Sequence, residues 1–287
     1  MPGFSYYEPV IIVTLLNVTI TLGLYITALS GQLSMATAAI AGVAGYVSAV
    51  LTVKFGWPFA PAILVAVVVC ALLGAFLALI TIRMRDFLLK LTTLAFGEAL
   101  SVLAFNWDYI GGANSFTGLQ LFTTLPMCIA AAVFAFYVAW RFDGSRLGFA
   151  ARAVRDDPLA AIAMGVSLPK LRIITFALGS LIVGLGGALQ AHFVLLVTPS
   201  DLGFFVSINY IIFLLFGGLQ TIWGPVLGAA VLTALPEMLR FADNYRLIIY
   251  GLIIVLVVLL RPEGLLTRRA TGQKQNPQAV KWANNPQ

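Results

Sequence analysis

Seven polar side chains interrupt the long apolar stretches of this sequence: Asn17, Gln32, Ser34, Thr37, Glu98, Gln220 and Thr221. Amides, hydroxyls and one carboxylate can hydrogen-bond a polar solute. No paired carboxylates, histidine cluster or activated nucleophile accompany them, so no catalytic residue is expected. His192 is the sole histidine and has no partners with which to hold a metal; a hydrogen-bonding residue at a helix end is its expected role. Cys70 and Cys128 fall in the middle of apolar runs, where they read as small core residues rather than as disulfide partners or ligands. The sequence has no Gly-x-x-x-x-Gly-Lys-Ser/Thr phosphate loop, so ATP hydrolysis by that route is not expected of this chain.

Glu98 is the sharpest of the seven. An ionisable group within an apolar helix is costly and turns to the bundle interior or a wet cavity. Contact with a substrate amine or a gate is one reading; a helix-to-helix hydrogen bond near the outer end of the span is the other. Residues 31–37 and 217–225 break two apolar segments, one in each half of the chain, each with Gly, Gln and a hydroxyl residue. Such paired breaks point to a transport site, because unwound backbone offers N–H and C=O groups to a polar solute. Close helix packing through small residues accounts for the same glycines. All seven residues are therefore pathway candidates. Asp108 and Asp201, in predicted outer loops, read as solvated charges.

A different kind of element runs from 155 to 165, Arg-Asp-Asp-Pro-Leu-Ala-Ala-Ile-Ala-Met-Gly. Asp157 suits a helix N-cap, Pro158 the first helical position and Gly165 the left-handed residue that ends a helix. A helix over 158–164 is marginal alone at that length, and its body is wholly apolar, so it needs a groove to lie in. Docking on another protein and packing beneath its own bundle or on the membrane surface both satisfy that need. In the docking reading Arg155, Asp156 and Asp157 face the partner's rim, and the body from Leu159, Ala160 and Ala161 onward fills the groove.

The elements that must position these residues follow from composition. Hydrophobic residues make up 61% of the 287 and charged residues 10%, a balance that water would not tolerate in a folded chain. Charge-free runs cover 9–53, 55–82, 109–140, 173–191 and 202–236, each near or above the ~20 residues of a membrane-crossing helix. The expectation is an all-α polytopic bundle of about nine spans (eight to ten): 10–29, 31–51, 62–82, 87–105, 121–140, 172–193, 207–217, 225–239 and 247–260. The segment 31–51 is a candidate for a broken or re-entrant helix, and 207–217 is short for a span.

Basic residues fall in three clusters: Arg83, Arg85 and Lys90; Arg141, Arg146, Arg152, Arg155, Lys170 and Arg172; and Arg261, Arg268, Arg269, Lys274 and Lys281. The positive-inside rule makes all three cytoplasmic, with the N-terminus outside, the C-terminus inside and only Lys54, Arg240 and Arg246 on the outer side. This distribution explains the net charge of +6 without nucleic acid. Residues 1–9 lack the basic region of a signal peptide, so the first run is expected to remain as a span. Residues 1–270 form one transmembrane domain with a cytoplasmic loop at 141–172, followed by a polar, disordered tail at 271–287.

The chain resembles the permease subunits of branched-chain amino acid ABC importers. Residues 155–165 are similar to that family's cytoplasmic signature, an Arg-Asp pair before an Ala-Ala helix ending in Gly. Thr93-Leu94-Ala95-Phe96-Gly97-Glu98 resembles its fourth-span motif, residues 217–229 its late Gly-rich break and Arg261-Pro262-Glu263-Gly264-Leu265 its C-terminal end, so the likeness covers roughly 22–266. Residues 31–39 match its early motif in Gly, Gln and Ser but have Met35-Ala36-Thr37 where Leu-Gly-His is usual, a departure that bears on the substrate.

The resemblance implies an inner-membrane subunit that binds no cofactor. Two cytoplasmic ATPases would use ATP and Mg, a second homologous permease would share the pathway, and a soluble binding protein would deliver substrate from outside. Arg155, Asp156, Asp157, Pro158, Leu159, Ala160, Ala161 and Gly165 would then form the ATPase-docking coupling helix. A urea or short-amide importer shares the same motifs. A secondary transporter or channel accounts for the composition and the breaks but not for a capped apolar helix offered to the cytoplasm.

Overall fold

Apolar runs of this length have one economical solution in a bilayer, the helix, which satisfies every backbone group internally. The computed structural model describes residues 4–82, 84, 86–239, 245–261 and 264–266, and it is all-helical among them. Arg83, Arg85, Arg240, Pro262, Glu263, Arg268, Arg269, Lys274, Lys281 and the tail 271–287 lie outside the described residues. The helices are α1 (Phe4–Leu29), α2 (Thr37–Val53), α3 (Phe59–Thr81), α4 (Asp86–Asn106), α5 (Leu125–Asp143), α6 (Arg146–Asp156), α7 (Pro158–Ala163), α8 (Leu168–Val194), α9 (Phe204–Gly217), α10 (Trp223–Met238) and α11 (Arg246–Leu260). Prolines set several starts: Pro58 caps α3, and Pro126 and Pro169 sit in the first turns of α5 and α8, where a missing N–H costs nothing.

Five helices are long and apolar enough to cross a membrane, within Tyr7–Leu29, Phe59–Thr81, Phe87–Asn106, Leu125–Asp143 and Leu168–Val194. Thr37–Val53, Phe204–Gly217 and Ile248–Val257 are apolar but shorter. The segment expected to span from 31 begins only at Thr37, because 30–36 is unwound, and α9 stops at Gly217, where Gly218 takes φ 104°.

α8 is the central post, packed against α1, α2 and α3. Close approach is possible because α1 and α8 meet through glycines: a Cβ on Gly23 would lie 2.6 Å from the carbonyl oxygen of Gly179, and one on Gly179 would lie 2.7 Å from that of Gly23. Tyr25, Phe176, Leu22, Leu77 and Ile182 fill the core around this contact. Cys70 and Cys128 are buried free thiols, as their apolar settings implied. α4 stands apart, touching mainly α2 and the short helix Pro199–Leu202, and turns Leu91, Val102 and Leu103 outward. One end of the bundle, called the lower end here, collects the last residues of α1, α3 and α5 and the first of α4 and α8, and α6 and α7 connect α5 to α8 there.

Candidate functional site: the capped helix and the two breaks

α7 is held at both ends by its own residues. The Asp157 carboxylate accepts the N–H groups of Leu159 (2.9 Å) and Ala160 (3.1 Å), two of the orphan donors of the first turn. At the other end Gly165 takes φ 87°, its N–H donates to the Ile162 carbonyl at 2.9 Å, and the Val166 N–H reaches back to Ala161 at 3.1 Å. That pair of reversed bonds is the Schellman arrangement, which needs a left-handed residue at Gly165. Met164 is the C-cap, so the helix proper is one residue shorter than the sequence predicts. Only Ala161 is buried, whereas Leu159 and Met164 are 79% and 86% exposed. The apolar face of α7 therefore finds no cover within the described residues.

α6 fixes α7 to the bundle. Ser145 caps α6 by accepting the Gly148 N–H at 3.2 Å, and Gly148, Ala151 and Val154 form its buried stripe at helical spacing. On the same side, Asp143 at the end of α5 gathers two partners. Its Oδ1 accepts a bond from Arg152 Nη1 and, at 3.3 Å, from the Tyr25 hydroxyl of α1, while Arg152 Nη2 donates to the Asp143 carbonyl at 2.9 Å. One carboxylate thus ties α1, α5 and α6 together. In the sequence Arg152 is one member of a basic cluster, and Asp143 and Tyr25 carry no signal of this tie, because their separation along the chain hides the contact. Arg155 pairs locally with Asp156 at 3.4 Å.

Directly above, the chain between α1 and α2 is unwound. Gly31 turns it with φ 78°. Ser30 and Thr175 exchange a hydroxyl hydrogen bond of 3.2 Å, and the Met35 N–H donates to Thr93 Oγ1 at 3.0 Å. Thr175 and Thr93 each stand about 10 Å of helix inside the lower end, which sets the depth of the break. Its polar groups are mostly engaged: Ser34 Oγ accepts the Ala36 N–H (3.2 Å), Thr37 Oγ1 donates to the Ser34 carbonyl (3.2 Å), and the Ala38 N–H donates to Ser207 Oγ of α9 (3.1 Å). Gln32 is the exception. It is buried, and its Nε2 has no hydrogen-bond partner among the described residues.

The other candidates are dispersed. Glu98 accepts the N–H of Phe204, first residue of α9, at 2.7 Å, the helix-to-helix bond of its second reading, while its side chain stays exposed on α4. Asn17 donates to Thr233 Oγ1 at 3.0 Å and joins α1 to α10. Gln220 and Thr221 lie in the turn between α9 and α10, at the far end of α9 from Ser207 and about 15 Å along the helix from it. The Thr221 hydroxyl is buried without a hydrogen-bond partner among the described residues. The structure therefore groups Gln32, Ser34 and Thr37, brings Glu98 to the start of α9, and leaves Asn17, Gln220 and Thr221 apart. His192, expected at a wet helix end, is instead fully buried and meets the Phe59 ring edge-on at 5.0 Å.

The sequence matches known proteins over most of its length. The family described as branched-chain amino acid transport system, permease component, matches residues 6–258. The high-affinity branched-chain amino acid transport system permease protein LivM of Escherichia coli is 26% identical over 89% of this chain and 69% of its own length. The LivH permease protein of the same kind of system in Salmonella typhimurium is 25% identical over 57% of this chain and 54% of its own. A probable branched-chain amino acid transport permease protein LivM of Methanocaldococcus jannaschii is 24% identical over 72% and 68%. No solved structure matches. The match runs from within α1 to within α11, across α7 and both breaks, and the chain belongs to the family of branched-chain amino acid transport system permease components.

Proposed function

We propose that this chain is a pathway-forming permease subunit of an ATP-driven importer for branched-chain or related amino acids. Its segments cross the cell membrane about nine times, with α2, α9, α10 and α11 completing the count, the N-terminus outside, and the loop 141–172 and the tail 271–287 in the cytoplasm. The observation that carries the reading is α7. A six-residue helix, capped at both ends and apolar along its body, is held by α6 with Leu159 and Met164 uncovered. Burying each such side chain contributes about 1.5–3 kcal/mol, so a groove on another protein stabilises this helix where water does not.

The partner that offers the groove is a cytoplasmic ATPase, which uses ATP and Mg in its own site. This chain serves as the capped lever that passes ATPase closure to the spans. Similarity to both LivM and LivH supports a second homologous permease as the other wall of the pathway, and import implies a soluble binding protein outside. Arg155, Asp156, Asp157, Pro158, Leu159, Ala160, Ala161 and Gly165 form the docking surface. Gln32, Ser34, Thr37 and Glu98 lie closest to the pathway, with Asn17, Gln220 and Thr221 supporting it.

The test is purification of the tagged chain from its native membrane in mild detergent, with identification of stoichiometric partners. Recovery of an ATPase and a second permease, both lost with Asp157→Arg while the chain still inserts, is the expected result. Recovery of the chain alone, transporting without ATP, would overturn it. Pro158→Gly should likewise abolish transport without preventing insertion.

A further inference from the structure

Between the first half of α2 and the last turns of α8, a cavity of about 100 Å³ opens beside the first turns of α9. A single water needs ~10–15 Å³ of such space, so this cavity has room for a solute of several heavy atoms. Its walls are small or apolar: Gly42 and Gly45 of α2, Gly187 and Val194 of α8, and Val206 of α9. Its polar lining comes from three side chains, Gln190, Asp201 and Tyr210.

These groups are arranged for a cation. The Tyr210 hydroxyl donates to Gln190 Oε1 at 3.4 Å, which leaves that carbonyl a second lone pair. Asp201 spends Oδ2 on the Thr198 N–H at 2.9 Å, and its other oxygen has no hydrogen-bond partner among the described residues. No lysine or arginine lines the cavity. A carboxylate and an amide carbonyl at the wall of an apolar pocket complement an ammonium group. Across from these groups α9 begins at Phe204, whose N–H is taken by the Glu98 carboxylate at 2.7 Å; Gly203 supplies no side-chain cap, and the N–H groups of Phe205 and Val206 in the same first turn are left to favour a carboxylate. The two ends together match a zwitterion whose side chain is apolar.

We infer that this cavity is a substrate subsite that receives the ammonium group of a free α-amino acid on Asp201 and Gln190 and seats its aliphatic side chain among Gly42, Gly45 and Val206. The inference rests on the importer reading above. It adds a place and a chemical requirement, a primary amine, that the sequence does not reveal: Gln190 and Tyr210 stand in apolar helices, and Asp201 reads as a loop charge.

The complete permease–ATPase complex in lipid nanodiscs, without binding protein, is assayed for labelled L-leucine binding against 2-hydroxy-4-methylpentanoate, in which a hydroxyl replaces the ammonium. Wild type should bind leucine and ignore the hydroxy acid. Asp201→Asn, which keeps the bond to Thr198, should weaken leucine binding roughly tenfold or more and narrow the discrimination, because a charge-assisted bond is lost. Gln190→Met should weaken it less. Thr198→Ala removes the hydroxyl that accepts the Asp201 N–H at 3.3 Å but keeps the charge, and should leave leucine binding unchanged.

Unchanged leucine binding in both Asp201→Asn and Gln190→Met, or a Thr198→Ala that reproduces Asp201→Asn, would overturn the subsite. In proteoliposomes with binding protein and ATP, leucine import by the wild type together with unchanged variants would overturn the subsite alone. A wild type that neither imports nor binds leucine would overturn both readings.

Discussion

The Cα of Arg155 in α6 lies 3.4 Å from the point that a Cβ on Gly31 would occupy, so the turn that leads into α7 touches the break between α1 and α2. In the coupling proposed above, this contact would pass a push on α7 to the unwound, partly buried segment 30–36. Gly31 holds φ 78°, where an L-residue costs about 1–2 kcal/mol. Gly31→Ala should lower the heat stability of the purified complex by that order and reduce ATP-driven uptake more than it reduces assembly. Uptake equal to wild type, at normal expression, would separate the break from the coupling route.

Asp143 should matter for the same route. Its carboxylate is the shared acceptor of Tyr25 and Arg152, and both members of the ion pair are partly buried. Asp143→Ala leaves Arg152 without its carboxylate, at a cost of about 1–3 kcal/mol. The loss should appear as faster amide exchange over 144–165 and as ATP hydrolysis that no longer drives uptake. Exchange confined to the site of substitution would count against a latch between α5 and α6.

Much of α7 is legible before folding, because caps act on their own neighbours: Asp157, Pro158 and Gly165 announce a helix whose ends lie within eight residues of one another. Long helices such as α3 and α8 are legible for a similar reason, since hydropathy is summed along the chain. The latch at Asp143 and the tie from Glu98 to Phe204 are not, because each joins residues distant in sequence and the intervening helices decide their meeting. His192 illustrates the limit from the other side. A lone imidazole near a helix end suggests water, yet Phe59 and Phe122 close over it from elsewhere in the chain.

Gln32 carries a testable contradiction. A buried amide nitrogen without a partner costs about 1–3 kcal/mol, so an apolar residue of similar shape should stabilise the fold. Gln32→Met is expected to raise the thermal midpoint of the complex and at the same time to lower uptake, because the amide is kept for another conformation or for the solute. A variant that is more stable and transports normally would remove Gln32 from the pathway.

Glu98 can be divided into its two roles by a pair of substitutions. The carboxylate accepts the Phe204 N–H at 2.7 Å, and it stands about 18 Å along α4 from Asp86, inside the depth of a bilayer. Charge exposed to lipid there would cost about 2.5–3.5 kcal/mol, so this face of α4 calls for water or a partner subunit over it. Glu98→Gln keeps an oxygen for the Phe204 N–H and should preserve heat stability while lowering uptake. Glu98→Ala leaves that N–H unpaired and should lower both, the stability by about 1–3 kcal/mol. If Glu98→Gln transports as wild type does, the charge is idle, and Glu98 serves only to hold α9 against α4.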